Sequence, residues 1–283
     1  MQEFKNKVAF VTGAASGIGL GISRALANAG MRVAIADIES EPLEKAAQEL
    51  RKVSPQVETF TLDVSDRAAV YGAAAKVKKS FGGLHVLVNN AGVRCKGSDL
   101  LDVTDVDYDW VIGVNFLGVV HGIKAFVPLI LESGGGHVVN TASIGGLVVP
   151  GQLKIGLYSA TKSAVVALSE ALQGELAPQG VGVSVLCPGA VNTQMIRTPA
   201  RRPPRFGVAE KMPPRVVDEF LKDGLDPDVV GRRVLDAIKH NEFYVLTHHQ
   251  YRSRVEERYR KLMEAFDKAA ALNLSQVEPA TGA

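Results

Sequence analysis

The chain has 283 residues, with 32 basic against 30 acidic side chains and a formal net charge of +2. That balance creates no field selecting nucleic acid or a membrane surface, and the two cysteines, Cys95 and Cys187, stand far apart in no metal-ligand spacing. No apolar leader precedes Val8 and no run approaches ~18 unbroken apolar residues, so the expectation is a cytoplasmic protein with one large domain.

In chain order, residues 8–12 read as a first strand, followed by a glycine-rich turn and a helix to about Ala29. Residues 32–36 form a second strand and 41–53 a charged helix; 57–62 is a third strand and 68–81 a helix. Residues 84–88 are a fourth strand, and a long helical stretch covers about 105–131. Further strands fall at 137–141, 181–186 and 243–246. These strands are nearly all apolar rather than alternating, as expected when helices cover both faces of a parallel sheet. Strand–helix alternation predicts an α/β fold: a Rossmann-like, doubly wound parallel sheet of about seven strands.

Two segments break the rhythm. Residues 195–214 carry Pro199, Pro203, Pro204, Pro213 and Pro214 with Arg197, Arg201, Arg202 and Arg205. Proline at that density forbids a continuous helix or central strand, so a lid is expected over about 190–225. In 251–272, Val255, Tyr259, Leu262, Met263 and Phe266 recur at helical spacing. This predicts an amphipathic helix packed on its own domain or on a partner subunit, with a frayed tail over 273–283.

Candidate chemistry gathers where the strands end. Gly13, Ser16, Gly17, Ile18 and Gly19 lie between the first strand and first helix. There a tight turn and free helix N–H groups suit a diphosphate, although the spacing departs from G-x-G-x-x-G and a purely structural turn stays open. Asp37 ends the second strand, eighteen residues after Gly19. Its carboxylate can accept from an adenosine ribose and repel a 2′-phosphate. With Ser16 before Gly17 and Ile38 after Asp37, nothing basic favours NADP, so NAD is expected; a plain helix-capping aspartate is the alternative. Asp63 and Asn89-Asn90-Ala91-Gly92 also stand at carboxyl ends of strands. Ser143 follows the fifth strand, and Pro188-Gly189-Ala190-Val191-Asn192-Thr193 follows the sixth. Asn115, a poor helix former, sits mid-way in the long helical stretch and hints at a kink or a functional side chain. Tyr158 is the tyrosine with a lysine, Lys162, four residues on, one helical turn along the same face. An ammonium beside a phenol favours the phenolate, which suits a general acid/base.

T-G-x-x-x-G-I-G at 12–19, N-N-A-G at 89–92, Asn115, Ser143, Y-x-x-x-K at 158–162 and P-G-x-V-x-T at 188–193 together resemble the short-chain dehydrogenase/reductase family, in its shorter single-domain branch. The resemblance covers about residues 5–247. It implies that Tyr158 exchanges the proton with an alcohol or ketone oxygen and that Ser143 holds that oxygen. It further implies that Lys162 contacts the nicotinamide ribose and depresses the Tyr158 pKa, while Asn115 holds a water of a proton relay. Gly13, Ser16, Ile18, Asp37, Asp63, Val64, Asn90, Ala91, Val191 and Thr193 are the positions it expects along the cofactor, with Gly17, Gly19, Gly92, Pro188 and Gly189 in the same turns. Ser143 precedes Tyr158 by fifteen residues, a longer spacing than is typical of the family, which places an insertion at 151–156 beside the substrate.

The activity expected is NAD-linked hydride transfer with a secondary alcohol or ketone. Apolar residues near the site, among them Leu147, Val149, Leu153, Leu157, Met195 and Phe206, favour a bulky hydrophobic or aromatic substrate unless they belong to the core. The rivals are an NADPH-dependent 3-oxoacyl-thioester reductase and a non-catalytic nucleotide-sensing protein; the first lacks its basic residue here, and the second often lacks the Tyr–Lys pair. No metal is expected, since the six histidines show no ligand spacing. The family resemblance suggests a homodimer or homotetramer.

Overall fold

A computed structural model describes residues 1–54, 56–95, 99–149, 153–208 and 223–272. The first seven elements alternate strictly: β1 (Val8–Thr12), α1 (Gly17–Asn28), β2 (Arg32–Asp37), α2 (Ser40–Leu50), β3 (Val57–Thr61), α3 (Arg67–Phe81) and β4 (Val86–Asn89). There follow α4 (Asp105–Ile112), α5 (Gly118–Glu132), β5 (Gly136–Thr141), α6 (Ile144–Leu147), α7 (Gly156–Leu176), β6 (Val181–Cys187), α8 (Pro227–His240) and β7 (Tyr244–Leu246).

The seven strands pair in parallel in the order β3-β2-β1-β4-β5-β6-β7. β1 lies between β2 and β4, with Val8 opposite Arg32 and Ala9 opposite Val86. The strand order reverses there, and a crevice opens at the carboxyl ends. Val8 and Phe10 join one core layer with α3, α4, α5 and α7, whereas Ala9 and Val11 join the other with α1, α2 and α8. Burial on both faces is why β1 is apolar at every position but its last. Phe10 stacks on Phe126 with ring centroids 4.2 Å apart, fixing α5 against β1.

The predicted long helix is interrupted by a π-helical turn, Gly113–Leu117, between α4 and α5. By length and composition the run Asp105–Glu132 could cross a membrane, contrary to the expectation that none would, but most of its apolar window is buried in the protein. Helix α8 was not predicted. Asp226 caps its first turn, accepting from Asp228 N, Pro227 takes the first position, and Asn241 closes it in the left-handed region at φ 55. It packs glycine to glycine on α1: a Cβ at Gly231 would stand 2.1 Å from the Gly21 carbonyl oxygen.

Of the predicted lid, 195–206 forms two 3₁₀ segments, Met195–Arg201 and Pro204–Phe206. Residues 209–222 of that lid, 151–152 of the expected insertion, Met212 and the tail from 273 onward lie outside the described residues. The chain divides into two units, Met1–Thr247 and His248–Ala283. In the second, α9 (Arg252–Ala271) is the predicted amphipathic helix, and Tyr259, Leu262, Met263 and Phe266 are exposed along it.

Candidate active site

A groove with a cavity volume of about 170 Å³ runs along the carboxyl ends of β1, β2, β4 and β5. Gly13, Ser16, Gly17, Ile18, Asp37, Asp63, Val64, Asn90, Ala91, Gly92, Tyr158, Lys162, Pro188 and Thr193 all line it. Sequence separations as large as that from Gly13 to Thr193 are thus closed by the sheet.

The turn after β1 is built for close approach. Gly13 has φ +65 and a Cβ there would sit 2.8 Å from Ala91 Cα; Gly17 has φ +55 and would press on the Thr193 side chain. Both conformations and both clearances call for glycine. Gly19 does not line the groove. A Cβ at Gly19 would stand 2.2 Å from the Gly13 carbonyl oxygen, so it shapes the turn from below. Ser16 caps α1 without a side-chain hydrogen bond to the helix. The first-turn N–H groups and the positive end of the helix dipole therefore face the turn, an arrangement suited to an anionic diphosphate.

Asp37 holds this turn as well as facing the groove: its carboxylate accepts from Ala15 N at 3.1 Å and from Glu39 N at 3.2 Å. Asp63 accepts from Ser65 N at 2.9 Å and from the Arg205 guanidinium at 2.6 Å. The loop after β4 is stitched to β1 by Thr12, whose hydroxyl accepts from Asn90 N at 2.9 Å and Ala91 N at 3.0 Å. Asn90 Nδ2 returns a bond to the Thr12 carbonyl at 2.9 Å. Val191 and Gly189 support rather than line the groove: Val191 is buried and bridges to Leu225, and Gly189 N donates to Thr247 Oγ1.

At the other end of the groove, α7 carries Tyr158 and Lys162 one turn apart. Ser143 begins α6, its hydroxyl accepting from Gly145 N at 3.1 Å while it also hydrogen-bonds the Tyr158 phenol. Lys162 is 2% exposed. Its Nζ donates to the Thr141 carbonyl at 2.8 Å and stands 5.7 Å from the Tyr158 ring centroid. Burial lowers this ammonium to about 8, because the charged form loses water that one carbonyl does not replace.

Burial likewise raises the Tyr158 phenol, with the Ser143 hydrogen bond and the Arg94 guanidinium pulling the other way. The expected depression by Lys162 is therefore not the net effect in this state: the lysine points at Thr141, and desolvation of the phenol dominates. Asn115 is fully buried in the π-helical turn. Its Oδ1 accepts from Val93 N at 2.8 Å, and its Nδ2 donates to Val93 O at 2.9 Å and to Thr161 Oγ1 at 3.2 Å. The side chain braces the loop after β4 against α7. With its amide so engaged, the water-holding role implied by the family resemblance does not follow from the side-chain geometry.

Sequence reasoning missed Thr12, Arg94, Thr141, Trp110 and Thr198 as site residues, and named Arg201 only as one of the lid arginines. Thr12 stood inside a quoted motif; the others carry no local signal, since their partners are remote in sequence. The expected apolar wall divides: Met195 lines the groove, Leu157 is core, and Val149 and Leu153 are exposed. Val93, Trp110 and Val114 supply apolar wall that was not anticipated. Among the described residues, one cluster has metal-ligand proximity, Asp236, His240 and Glu242. It is largely exposed and already paired with Arg233.

The family model for short chain dehydrogenases matches residues 7–202. The C alpha-dehydrogenase of Sphingobium sp. strain SYK-6 is 32% identical over 271 residues, covering 94% of this chain and 88% of that protein. The CLA biosynthesis dehydrogenase/reductase of Lactiplantibacillus plantarum is 31% identical over 278 residues, covering 93% and 95%. Among solved structures, a short chain dehydrogenase/reductase from Burkholderia phymatum in complex with NAD superposes with a TM-score of 0.88 at 34% identity, covering 94% of this chain and 97% of that one. Sequence, sheet order and the Ser143–Tyr158–Lys162 corner agree, and the chain belongs to the short-chain dehydrogenase/reductase family.

Proposed function

We propose that the protein is an NAD-dependent oxidoreductase that interconverts a secondary alcohol and its ketone, with a bulky hydrophobic or aromatic substrate. The observation that carries this reading is the groove itself, which joins a glycine turn suited to a diphosphate to a hydrogen-bonded Ser143–Tyr158 pair backed by a buried ammonium.

A dinucleotide fits the residues present. Gly13, Gly17 and the start of α1 would hold the diphosphate, Asp37 the adenosine ribose, Asp63 the adenine end, and Lys162 with Thr193 the nicotinamide end. When bound, nicotinamide supplies the acceptor or donor of hydride. Ser143 would hold the substrate oxygen while Tyr158, as phenolate, takes the hydroxyl proton during oxidation and, as phenol, returns it during reduction. Lys162 would favour the phenolate once a bound ribose draws its ammonium away from Thr141. The likeness to a protein solved with NAD supports NAD over NADP, as does Asp37 followed by Ile38. Val93, Val114 and Met195 in the groove wall support an apolar substrate, as does the likeness to a C alpha-dehydrogenase. The same reading carries a cytoplasmic homodimer or homotetramer, which sedimentation of the purified protein tests.

The enzymatic test is a panel of bulky secondary alcohols with NAD and with NADP, followed by absorbance of the reduced nicotinamide, and the matching ketones in reverse. Turnover with NAD and an aromatic alcohol is expected. No absorbance change in either direction overturns the reading.

A further inference from the structure

The arginines of the lid converge on the end of the groove farthest from Tyr158. Arg201 Nε lies 2.9 Å from Glu39 Oε2, just beyond β2, and Arg205 donates to Asp63 Oδ2 at 2.6 Å, just beyond β3. Between them Arg202 pairs with Asp107 and sets its guanidinium 4.6 Å from the centroid of Trp110. On the near side Thr198 accepts from Arg94 N at 3.0 Å and donates to Met195 O at 2.8 Å. A single short segment, 195–206, is thus tied to two different strand ends and to α4. To make those contacts it must cross the mouth of the groove, and Arg201 and Pro203 indeed line it together with Asp37, Ile38 and Glu39.

The ties differ in kind. Arg202 and Asp107 are 7% and 15% exposed and sit against an aromatic face, a desolvated anchor. Arg201 with Glu39 is 30% and 31% exposed, and Arg205 with Asp63 is 43% and 18% exposed. Such part-solvated pairs are individually weak and salt-sensitive, so they release without unfolding anything.

We propose that Arg201 and Arg205 latch the 195–206 segment across the adenosine half of the groove, with Arg202 on Trp110 as its fixed point, so that dinucleotide entry and exit require both outer pairs to open. This rests on the dinucleotide reading above and adds to it a retention role for two residues that contribute nothing to proton transfer. Glu39 and Asp63 act as the catches. Asp63 serves both the strap and the groove, so the occupant and the latch share one carboxylate.

The test uses the full chain loaded with NADH, with release followed by stopped-flow nicotinamide fluorescence on mixing with excess ADP-ribose. Salt is varied between about 0.05 and 0.5 M, over which the screening length falls from roughly 14 to 4 Å. Release from the parent should quicken with salt. The Arg201→Gln/Arg205→Gln double variant should release NADH about tenfold faster at low salt, the combined effect expected of two part-exposed pairs, and should lose most of the salt dependence. Acrylamide quenching of Trp110, the one tryptophan in the chain, should stay at the parent level in that variant, because Arg202 holds as the fixed point. If the double variant does not fold, each single Arg→Lys variant replaces it, and a smaller rise in release rate is expected. Parent release that ignores salt, or variant release at the parent rate, overturns the latch while leaving the dinucleotide reading intact. A parent that binds neither NADH nor NADPH overturns both.

Discussion

At the end of the groove near Tyr158 the polar groups are buried or half-buried and held by direct hydrogen bonds: Lys162 on Thr141, Ser143 on the phenol, Asn115 on both polar atoms of the Val93 backbone. At the adenosine end the contacts are ion pairs between partly exposed side chains, Arg201 on Glu39 and Arg205 on Asp63. A desolvated hydrogen bond is costly to leave unmade, whereas an exposed ion pair opens for little. Under the proposed function, the contrast matches what each end has to do. A proton-transfer corner gains from fixed geometry and shifted pKa values, while a cofactor that must leave after each turnover needs a closure that breaks reversibly.

The contrast is open to experiment. Tyr158→Phe should lower turnover by about a thousandfold or more while leaving NADH affinity within about twofold; steady-state rates and a fluorescence titration on one preparation check both. A parallel loss of affinity would erase the separation between the two ends. Asn115→Ala leaves the part-buried Val93 N–H and C=O without their partner and should cost about 1–3 kcal/mol in denaturant unfolding. A loss within ~0.5 kcal/mol, the range of a surface change, would mean that the bracing described for Asn115 is not used. Asp37→Ala should shift the ratio of kcat/KM for NAD over NADP toward NADP by about tenfold, the worth of a charged hydrogen bond. An unchanged ratio would remove Asp37 from ribose recognition.

The smallest effect expected is on acid stability and falls outside the groove. Burial lowers His137 to about 3 and His85 to about 4. His85 Nδ1 accepts from Val8 N, a bond that requires the unprotonated nitrogen. His137 Nε2 lies 2.8 Å from Ser184 Oγ, whose own hydrogen goes to the Glu242 carbonyl. Both folded values lie below the unfolded one near ~6.5, so the unfolded chain takes up protons first as pH falls. These two sites therefore contribute full stability above pH ~6.5 and lose it progressively toward pH ~4 and below. Melting temperature against pH should be steeper for the parent than for His137→Gln over that window, and equal slopes would contradict the assignment.

How far the molecule was legible in its sequence follows the same division. The strands were readable because burial on both faces forces continuous apolar runs, and Tyr158 with Lys162 because their geometry is local to one helical turn. Asn115 gave a partial signal: its poor propensity pointed to an interruption, and the interruption is a π-helical turn. Helix α8 was missed although its start, Asp226-Pro227, and its end, Lys239-His240-Asn241, are ordinary boundary signals. The lid contacts were not readable at all. Arg205 and Asp63 are 142 residues apart, and an arginine-rich loop reads equally as solvated or as anion-seeking until the sheet brings its partners close. The direction of the Tyr158 shift was likewise hidden, since it depends on how completely the groove desolvates the phenol.

Hydride transfer at this site is tested most directly by the fate of one hydrogen. The secondary alcohol giving the fastest turnover with NAD, deuterated at its carbinol carbon, should transfer a single deuterium to nicotinamide C4 of the product, with none lost to water. NADH formed without the label, or a panel in which no alcohol forms NADH, would contradict hydride transfer at the Ser143–Tyr158–Lys162 corner.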